Sequence, residues 1–428
     1  MAYTGEVALD GGAPAKASIE VGEDTLSIAG DAGAVQLPYV DIEDVHDDNY
    51  TLRLTDPTGR RTDLSMLGKA YGQLLAEVTK ARDAALERDL LLKGVRLQDS
   101  FPGKLFGGES PVPVQLRVYE DLLVVVPERG TMFGVPFSTI TGVDWNEELY
   151  QTTVHTDEGE SHVFGHLARR SEEFRDELRR LLDALAARTA RTLGALLPGL
   201  TPAALSALAG VMRDGRAVQK RRIDAIDPAI WPQLEGVVAG SDARRASYDH
   251  LAKLAPEGWQ AFGIKAVRSE PGDEPEEAPT DPDPALEEGA PLGTVGGEKV
   301  SDLWYFCPLT ADGRPANAVA QEVTSETGHA TYVFRLLPPE RFAQLSGDVL
   351  ADEVERAIAR LNRALLLLNF RREPLYAREE EMQTGRFARY RVALRKLDYL
   401  RWAREALLGR AVHNATWEEQ VAELAAKA

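Results

Sequence analysis

The sequence is short of the residues on which much catalytic and structural chemistry depends. One cysteine, Cys307, stands among 428 residues, which excludes a disulfide framework and a cysteine-ligated zinc site. It lies in the apolar run Leu303 to Cys307, where a free thiol behaves as a small buried hydrophobe. No apolar run is long enough to span a bilayer. Met1 to Asp10 lacks the basic start and apolar centre of a secretory signal, so a cytoplasmic location is expected. Positive charge is scarce too, with 49 Lys and Arg against 68 Asp and Glu and a formal net charge of −19. Such a chain does not cling as a whole to nucleic acid or anionic lipid, and any contact of that kind must be local. Lysine is rare even within the basic set, 11 against 38 arginines, and with abundant alanine this points to a GC-rich, bacterial genome.

Catalytic signatures are missing as well. Neither Walker nor dinucleotide glycine spacing occurs, and Gly103-Lys104-Leu105-Phe106-Gly107-Gly108 lacks the strand-to-helix context that phosphate binding needs. Nucleophile elbows and histidine-glutamate zinc helices are absent. Of seven histidines only His155, His162 and His166 cluster. A hairpin turning at Glu158-Gly159 would make His155 and His162 cross-strand neighbours, close enough to share a metal. Two imidazoles without further ligands rarely make a dedicated site, so an exposed hairpin pair is the expectation. No catalytic, cofactor-binding or metal-binding residue is assigned, and no enzymatic activity is expected.

What the chain does contain is an internal repeat. Its length calls for about three domains, and two segments align with a period near 100 residues. Val21-Gly22-Glu23-Asp24-Thr25-Leu26-Ser27-Ile28 matches Val118-Tyr119-Glu120-Asp121-Leu122-Leu123-Val124-Val125. Leu37-Pro38-Tyr39, Ile42 and Val45 match Val135-Pro136-Phe137, Ile140 and Val143. The match continues from Tyr50, Gly59, Leu64, Leu67, Leu74 and Val78 to Tyr150, Gly159, Phe164, Leu167, Phe174 and Leu178. Apolar residues alternate within each copy, as in Ile19 and Val21 or Leu116 and Val118, the period of strands with one buried face. Turns are expected at Asp56-Pro57-Thr58-Gly59 and Glu158-Gly159. A helix closes each copy, near Gly68 to Leu90 and Arg169 to Thr192, with its apolar residues three and four apart.

About seven strands and one closing helix in some 90 residues resemble the pleckstrin-homology superfold, a bent antiparallel sandwich capped by its C-terminal helix. The resemblance covers residues 1–190. Phosphoinositide-binding members of that family cluster basic residues in the first strands and the loop between them. Here the first copy offers only Lys16, and the second offers Arg96, Lys104 and Arg117, spread apart. Phosphate recognition needs converging donors, so membrane or head-group binding is not expected. Peptide or protein binding is the use of the fold that remains.

The second half reads first as helices from Leu196 to Leu254, starting at Thr201-Pro202, Asp227-Pro228 and Ser241-Asp242. Arg213 to Arg222 is rich in charge and is expected to be a solvated helix face. Four strands follow, Trp259 to Val267, Asp302 to Leu309, Ala318 to Thr324 and Ala330 to Leu336, forming one antiparallel sheet. Ser269 to Gly289 holds nine carboxylates, five prolines and no basic residue, and should be a disordered acidic loop. After Arg341 the chain reads as helical, with an apolar side over Val349 to Asn369. A third, divergent copy of the strand-then-helix unit is conceivable, though it does not align.

The expected class is therefore α+β. Residues 1–92 and 93–193 are the two repeats, 194–254 a helical linker domain, and 255–345 a sheet region with the acidic loop at 269–297. Residues 346–428 form a C-terminal helical region. One long helix over Glu379 to Leu408 would carry a packing stripe of Phe387, Tyr390, Leu394, Leu397 and Leu400. The candidate partner-binding residues are Arg386, Arg389, Arg391, Arg395, Lys396, Tyr399, Arg401, Trp402 and Arg404. Basic residues interleaved with aromatics suit a partner helix or an acidic peptide, and they also suit a nucleic-acid strand. The expected function is a non-enzymatic adaptor or scaffold acting through protein contacts, with a nucleic-acid accessory role as the alternative.

Overall fold

A computed structural model describes residues 2–31, 33–56, 58–89, 97–108, 110–128, 132–238, 240, 242–266, 294–295, 298–299, 301–311, 313–323, 330–382 and 385–428. The acidic segment Ser269 to Gly289 lies outside them.

The first repeat forms strands β1 (Ala2–Leu9), β2 (Ala15–Val21), β3 (Thr25–Gly30), β4 (Gly33–Pro38), β5 (Asp44–Asp48), β6 (Thr51–Thr55) and β7 (Arg61–Ser65), then helix α1 (Tyr71–Asp89). The second forms β8 (Leu97–Phe106), β9 (Val112–Tyr119), β10 (Leu122–Pro127), β11 (Phe133–Pro136), β12 (Ile140–Asn146), β13 (Gln151–Thr156) and β14 (Ser161–Gly165), then α2 (Ser171–Leu196). The two seven-stranded antiparallel sheets share one strand order, β4-β3-β2-β1-β7-β6-β5 and β11-β10-β9-β8-β14-β13-β12. The sequence repeat is thus a structural repeat. Even the 3-10 turns recur, at Tyr39–Asp41 and Phe137–Thr139, and at Gly68–Ala70 and Ala168–Arg170.

Alternation explains the strands. Leu52 and Leu54 point inward from β6 and Leu52 faces Leu64 of β7, while the residues between them are half-buried. In each closing helix the spacing of three and four lays an apolar stripe over the sheet. Leu74 and Val78 of α1 are fully buried, as are Phe174 and Leu178 of α2. Phe174 meets Phe101 and Phe164 edge-on, with ring centroids 5.2 and 6.3 Å away.

The copies are joined by polar contacts. Asp83 and Glu87 of α1 reach β9, where Arg117 Nη2 donates to Asp83 Oδ2 at 2.5 Å and the Tyr119 hydroxyl donates to Glu87 at 2.5 Å. Arg117 is thereby committed to an ion pair within the protein.

The second half begins with α3 (Pro202–Val211), β15 (Ala217–Gln219), α4 (Lys220–Asp224), α5 (Ile230–Val238) and α6 (Asp242–Leu254). Thr201 caps α3, its Oγ1 accepting from Ala204 N at 3.2 Å. Next come β16 (Ala261–Ala266), the short pair β17 (Thr294–Val295) and β18 (Glu298–Lys299), then β19 (Ser301–Ala311), β20 (Arg314–Val323) and β21 (Ala330–Arg335). The chain continues through α7 (Pro339–Gln344), α8 (Gly347–Leu367), α9 (Glu373–Tyr376), α10 (Arg391–Lys396), α11 (Asp398–Ala406), β22 (Leu407–Val412) and α12 (Trp417–Ala426).

The third sheet is antiparallel with six strands, β15-β16-β19-β20-β21-β22. Its order and strand number differ from those of the repeats, so it is not a third copy. Both of its faces are covered. Trp304, Phe306, Val319 and Phe334 pack with Leu361 and Leu365 of α8 and with Leu394 and Leu400. The opposite face, through Phe262, Tyr305, Cys307 and Val333, packs with Trp231, Leu234, Leu251, Val421 and Leu424. Strands buried on both faces read as continuous apolar runs, as Leu303 to Cys307 does.

Two expectations are corrected here. Leu407 to Val412 is not the end of a helix but an edge strand paired with β21, and Ala217–Gln219 adds a strand inside the segment expected to be helical. Each segment gains ladder hydrogen bonds by adding to the side of the strand next to it, which overrides the local helix preference of so short a stretch.

Candidate functional site

The helix expected over Glu379 to Leu408 is broken into a 3-10 turn (Gly385–Tyr390), α10 and α11. The break falls at Leu397, whose backbone is extended at φ −92° and ψ 110°. An unbroken helix would turn part of the stripe away from the core. With the break, Tyr390, Leu394, Leu397 and Leu400 are all buried and Phe387 packs against them. Core packing here outweighs helix propensity.

The candidate basic and aromatic residues take different places around this joint. Arg386 and Arg389 lie in the 3-10 turn, with side chains outside the described set. Arg391 and Arg395 are exposed on α10, and Arg395 forms an ion pair with Asp41 of the first repeat. Lys396 is half-buried, and burial holds its ammonium below the usual lysine range while Glu43 opposes the shift. Arg401 is exposed and pairs with Asp398. Arg404 Nη2 donates to the Ala377 carbonyl at 2.7 Å, with Glu379 3.6 Å away.

The two aromatics are roofed by other arginines. Arg363 lies 4.5 Å from the ring centroid of Tyr399, and Arg360 lies 5.0 Å from that of Trp402. Burial pushes the Tyr399 hydroxyl up to about 12. Stacking faces that an unfolded helix surface would offer to bases are thus occupied from within.

Three further arrangements emerge whose contacts the sequence does not show. The first is the β13–β14 hairpin of the second repeat, which is docked into the second half. Arg363 Nη1 donates to Glu158 Oε1 at 2.9 Å, and its Nη2 donates to the Gly134 carbonyl at 2.5 Å. Arg216 Nε stands 3.1 Å from Asp157 Oδ2, without the alignment of a hydrogen bond. Burial raises the Asp157 carboxyl to about 6, with Arg216 pulling against that shift and Glu158 adding to it. Arg213, whose guanidinium donates to the Ile140 carbonyl, is held below the usual arginine range by burial and by Arg216. Arg221 donates to Asp352 Oδ1 at 2.8 Å, and both Arg221 and Arg222 pair with Glu355. Arg213 to Arg222 is therefore a set of joints between elements and not a solvated helix face, a correction that the distant partners explain.

The same hairpin separates the two histidines expected to face one another. Gly159 has φ +86°, the Thr156 amide donates to the Glu160 carbonyl, and the loop holds three residues in place of two. His155 then lies opposite Ser161 and His162 opposite Val154, so the imidazoles point to opposite faces. His155 contacts Ser161 Oγ at 2.8 Å and Asp144 at 2.9 Å, while His162 packs on Phe133 with centroids 5.1 Å apart. Among the described residues no group of three or more His, Cys, Asp or Glu side chains could hold a metal ion.

The second arrangement is a buried polar cluster on β20. Glu322 Oε2 accepts from the Tyr305 hydroxyl at 2.5 Å, and Oε1 accepts from Thr331 and lies 3.0 Å from His413 Nε2. Trp417 Nε1 donates to Thr331 Oγ1 at 2.8 Å. Hydroxyl, imidazole and carboxylate meet, yet His413 presents the same nitrogen to Thr331 and to Glu322. A nucleophile relay needs the two ring nitrogens on different partners, so this cluster locks strands to α12 and does not activate Thr331. Cys307 is buried on this face, and burial pushes its thiol well above the usual range.

The third arrangement repeats in both copies of the β-unit. The β5–β6 and β12–β13 hairpins end on Tyr50 and Tyr150, which are 74% and 65% exposed and hold left-handed backbone at φ +68° and +50°. Leu149, 58% exposed, precedes Tyr150 in its loop, and Met66, 75% exposed, follows directly on β7, the strand paired with β6. Tyr50 meets Tyr71 edge-on at 5.5 Å, and Tyr150 meets Trp145 at 6.4 Å. Two exposed acids precede each tip, Asp47 and Asp48 in one and Glu147 and Glu148 in the other.

Antiparallel sheets, two repeated and one sandwiched between helices, define the chain as an α+β protein, and among its described residues no helix is long and apolar enough to cross a membrane. No family model and no curated protein matches the sequence. Among solved structures, the C-terminal domain of an unknown protein from Leishmania infantum is similar over 23% of this chain and 97% of its own length, at 14% identity and a TM-score of 0.21.

Proposed function

We propose that the chain is a cytoplasmic, non-enzymatic adaptor or scaffold whose two repeats follow the pleckstrin-homology plan and bind a protein partner. The strand order common to both sheets and the closing helices support that plan. The observation that carries the functional reading is the repeated tip, an exposed tyrosine kept in left-handed backbone at the same place in both copies. Left-handed backbone is costly for a bulky residue and persists where the site has a use. Exposed aromatics rimmed by carboxylates fit a partner that brings arginine or lysine. Lipid head groups are poorly served, because Arg117 is spent on Asp83 and Glu87. Nucleic acid is also poorly served, since Tyr399 and Trp402 are roofed and Arg395, Arg401 and Arg404 have internal partners.

The test is affinity purification of the full chain from its native host, beside a Tyr50→Ser/Tyr150→Ser variant of equal thermal midpoint. A basic partner recovered with the native chain and lost from the variant supports the reading. Equal recovery by both, or retention of DNA or RNA in place of protein, overturns it.

A further inference from the structure

Gln321 is the anomaly of the third sheet. It stands in the middle of the helix-covered face of β20, directly opposite Phe306 on one side and Tyr332 on the other, and is 0% exposed. Both atoms of its amide lack a hydrogen-bond partner. Buried amides are almost always satisfied, so an orphaned one calls for an explanation, of which a bound group is one.

A second orphan lies against the tyrosine that is its cross-strand neighbour. The guanidinium of Arg372 lies 4.5 Å from the ring centroid of Tyr332, the cross-strand neighbour of Gln321, and its Nε and Nη1 are buried without acceptors. Arg410 is the strand neighbour of Tyr332 on the far side and adds positive charge. Tyr376 rests against Tyr332 and is 47% exposed, so the edge of this group reaches solvent.

The unmet needs specify a ligand. Two guanidinium N–H groups and one amide N–H want acceptor oxygens, while the amide oxygen wants a donor. Carboxylates and sulfate supply only acceptors. A phosphate that retains a proton supplies both, and the planar fork of arginine suits its oxygens. We propose that Arg372 and Gln321 form a binding site for a protonated phosphate group. The inference is independent of the protein contacts proposed above.

Calorimetric titration of the full chain at pH 6 with inorganic phosphate, sulfate and phenyl phosphate tests it. Phosphate should bind saturably at one site per chain and sulfate at least about 10-fold more weakly, because only phosphate offers a proton to the Gln321 oxygen. Gln321→Leu should erase the preference for phosphate over sulfate, and Arg372→Leu should weaken both by about 10- to 100-fold. The native chain gives a check that needs no variant, since its thermal midpoint should rise in phosphate more than in sulfate of equal ionic strength. Tighter binding of phenyl phosphate than of the free ion assigns the site to an organic phosphate, and the reverse assigns it to inorganic phosphate. No saturable binding, equal affinity for sulfate and phosphate, or an unaffected Arg372→Leu variant overturns the proposal.

Discussion

Arg363 covers the ring of Tyr399 at 4.5 Å while donating to Glu158 at 2.9 Å, so one side chain of α8 ties α11 to the second repeat. Arg363 and Glu158 expose only 9% and 12% of their side chains. Removing one member of a buried pair leaves the other charge unpaired, which typically costs about 3 to 5 kcal/mol. Arg363→Ala should lower stability by that order in urea unfolding. Tyr399→Phe, which keeps the ring, should cost less than about 1 kcal/mol. Equal effects from the two changes would show that the hydroxyl and not the ring is what Arg363 holds.

Asp157 gives the fold a pH dependence of unusual sign. Its carboxyl is raised by burial from an ordinary 3.8 to about 6, so the folded chain binds more protons than the unfolded one across that window. The stabilisation is fully present below about 4 and is lost as pH rises through about 6, on the order of 3 kcal/mol. Asp157→Asn should flatten this part of the profile. Urea midpoints measured from pH 4 to 7 check it, and a difference between native and variant chains that does not change with pH would refute it.

Gly263 has no room for a methyl group. A Cβ there would stand 2.2 Å from Trp304 Cε2, and the indole cannot retreat because it is fully buried and its Nε1 donates to Asn362 Oδ1 at 2.8 Å. Gly263→Ala should destabilise by about 1 to 3 kcal/mol, the usual cost of overpacking. It should also shift tryptophan emission. An unmoved midpoint and spectrum would mean that the sheet gives way at no cost.

The closing helices offer a matched pair of tests. Leu74→Ala and Phe174→Ala each remove a fully buried side chain from the same place in the two copies. Each should cost about 2 to 5 kcal/mol, with the Phe174 change the larger because it also strips two aromatic contacts. Thermal or urea unfolding reads both.

The repeats were legible because their signals are local. Alternating Leu52 and Leu54, the stripe of Leu74 and Val78, and the glycine turns at Gly59 and Gly159 each declare themselves within a few residues. Long-range pairings have no such trace. Arg221 meets Asp352 across 131 positions, and nothing near either residue separates that joint from a solvated charge. The histidine pair failed for a sharper reason, since one additional loop residue before Glu160 moves His162 to the other face of the sheet. Glu322 was invisible because a carboxylate within a strand reads as the solvent side until its partners from β19, β21 and the segment after β22 are known. The breaks at Leu397 and Leu407 were hidden because both lie in a run with good helix propensity.

The order of synthesis acquires a meaning from the placing of β22. Its partner β21 ends at Arg335 and β22 begins at Leu407, so 71 residues, 336 to 406, must be made between the two. At roughly 5 to 20 residues per second, the β21 edge waits about 4 to 14 seconds on the ribosome for its neighbour. Tyr332, Val333 and Phe334 lie on that waiting edge, an apolar strand open to any other chain with a free edge of its own. The helices α7 to α11 emerge during this interval and can cover one face of the sheet first, while the edge waits for β22 and the opposite face for α12, which follows it.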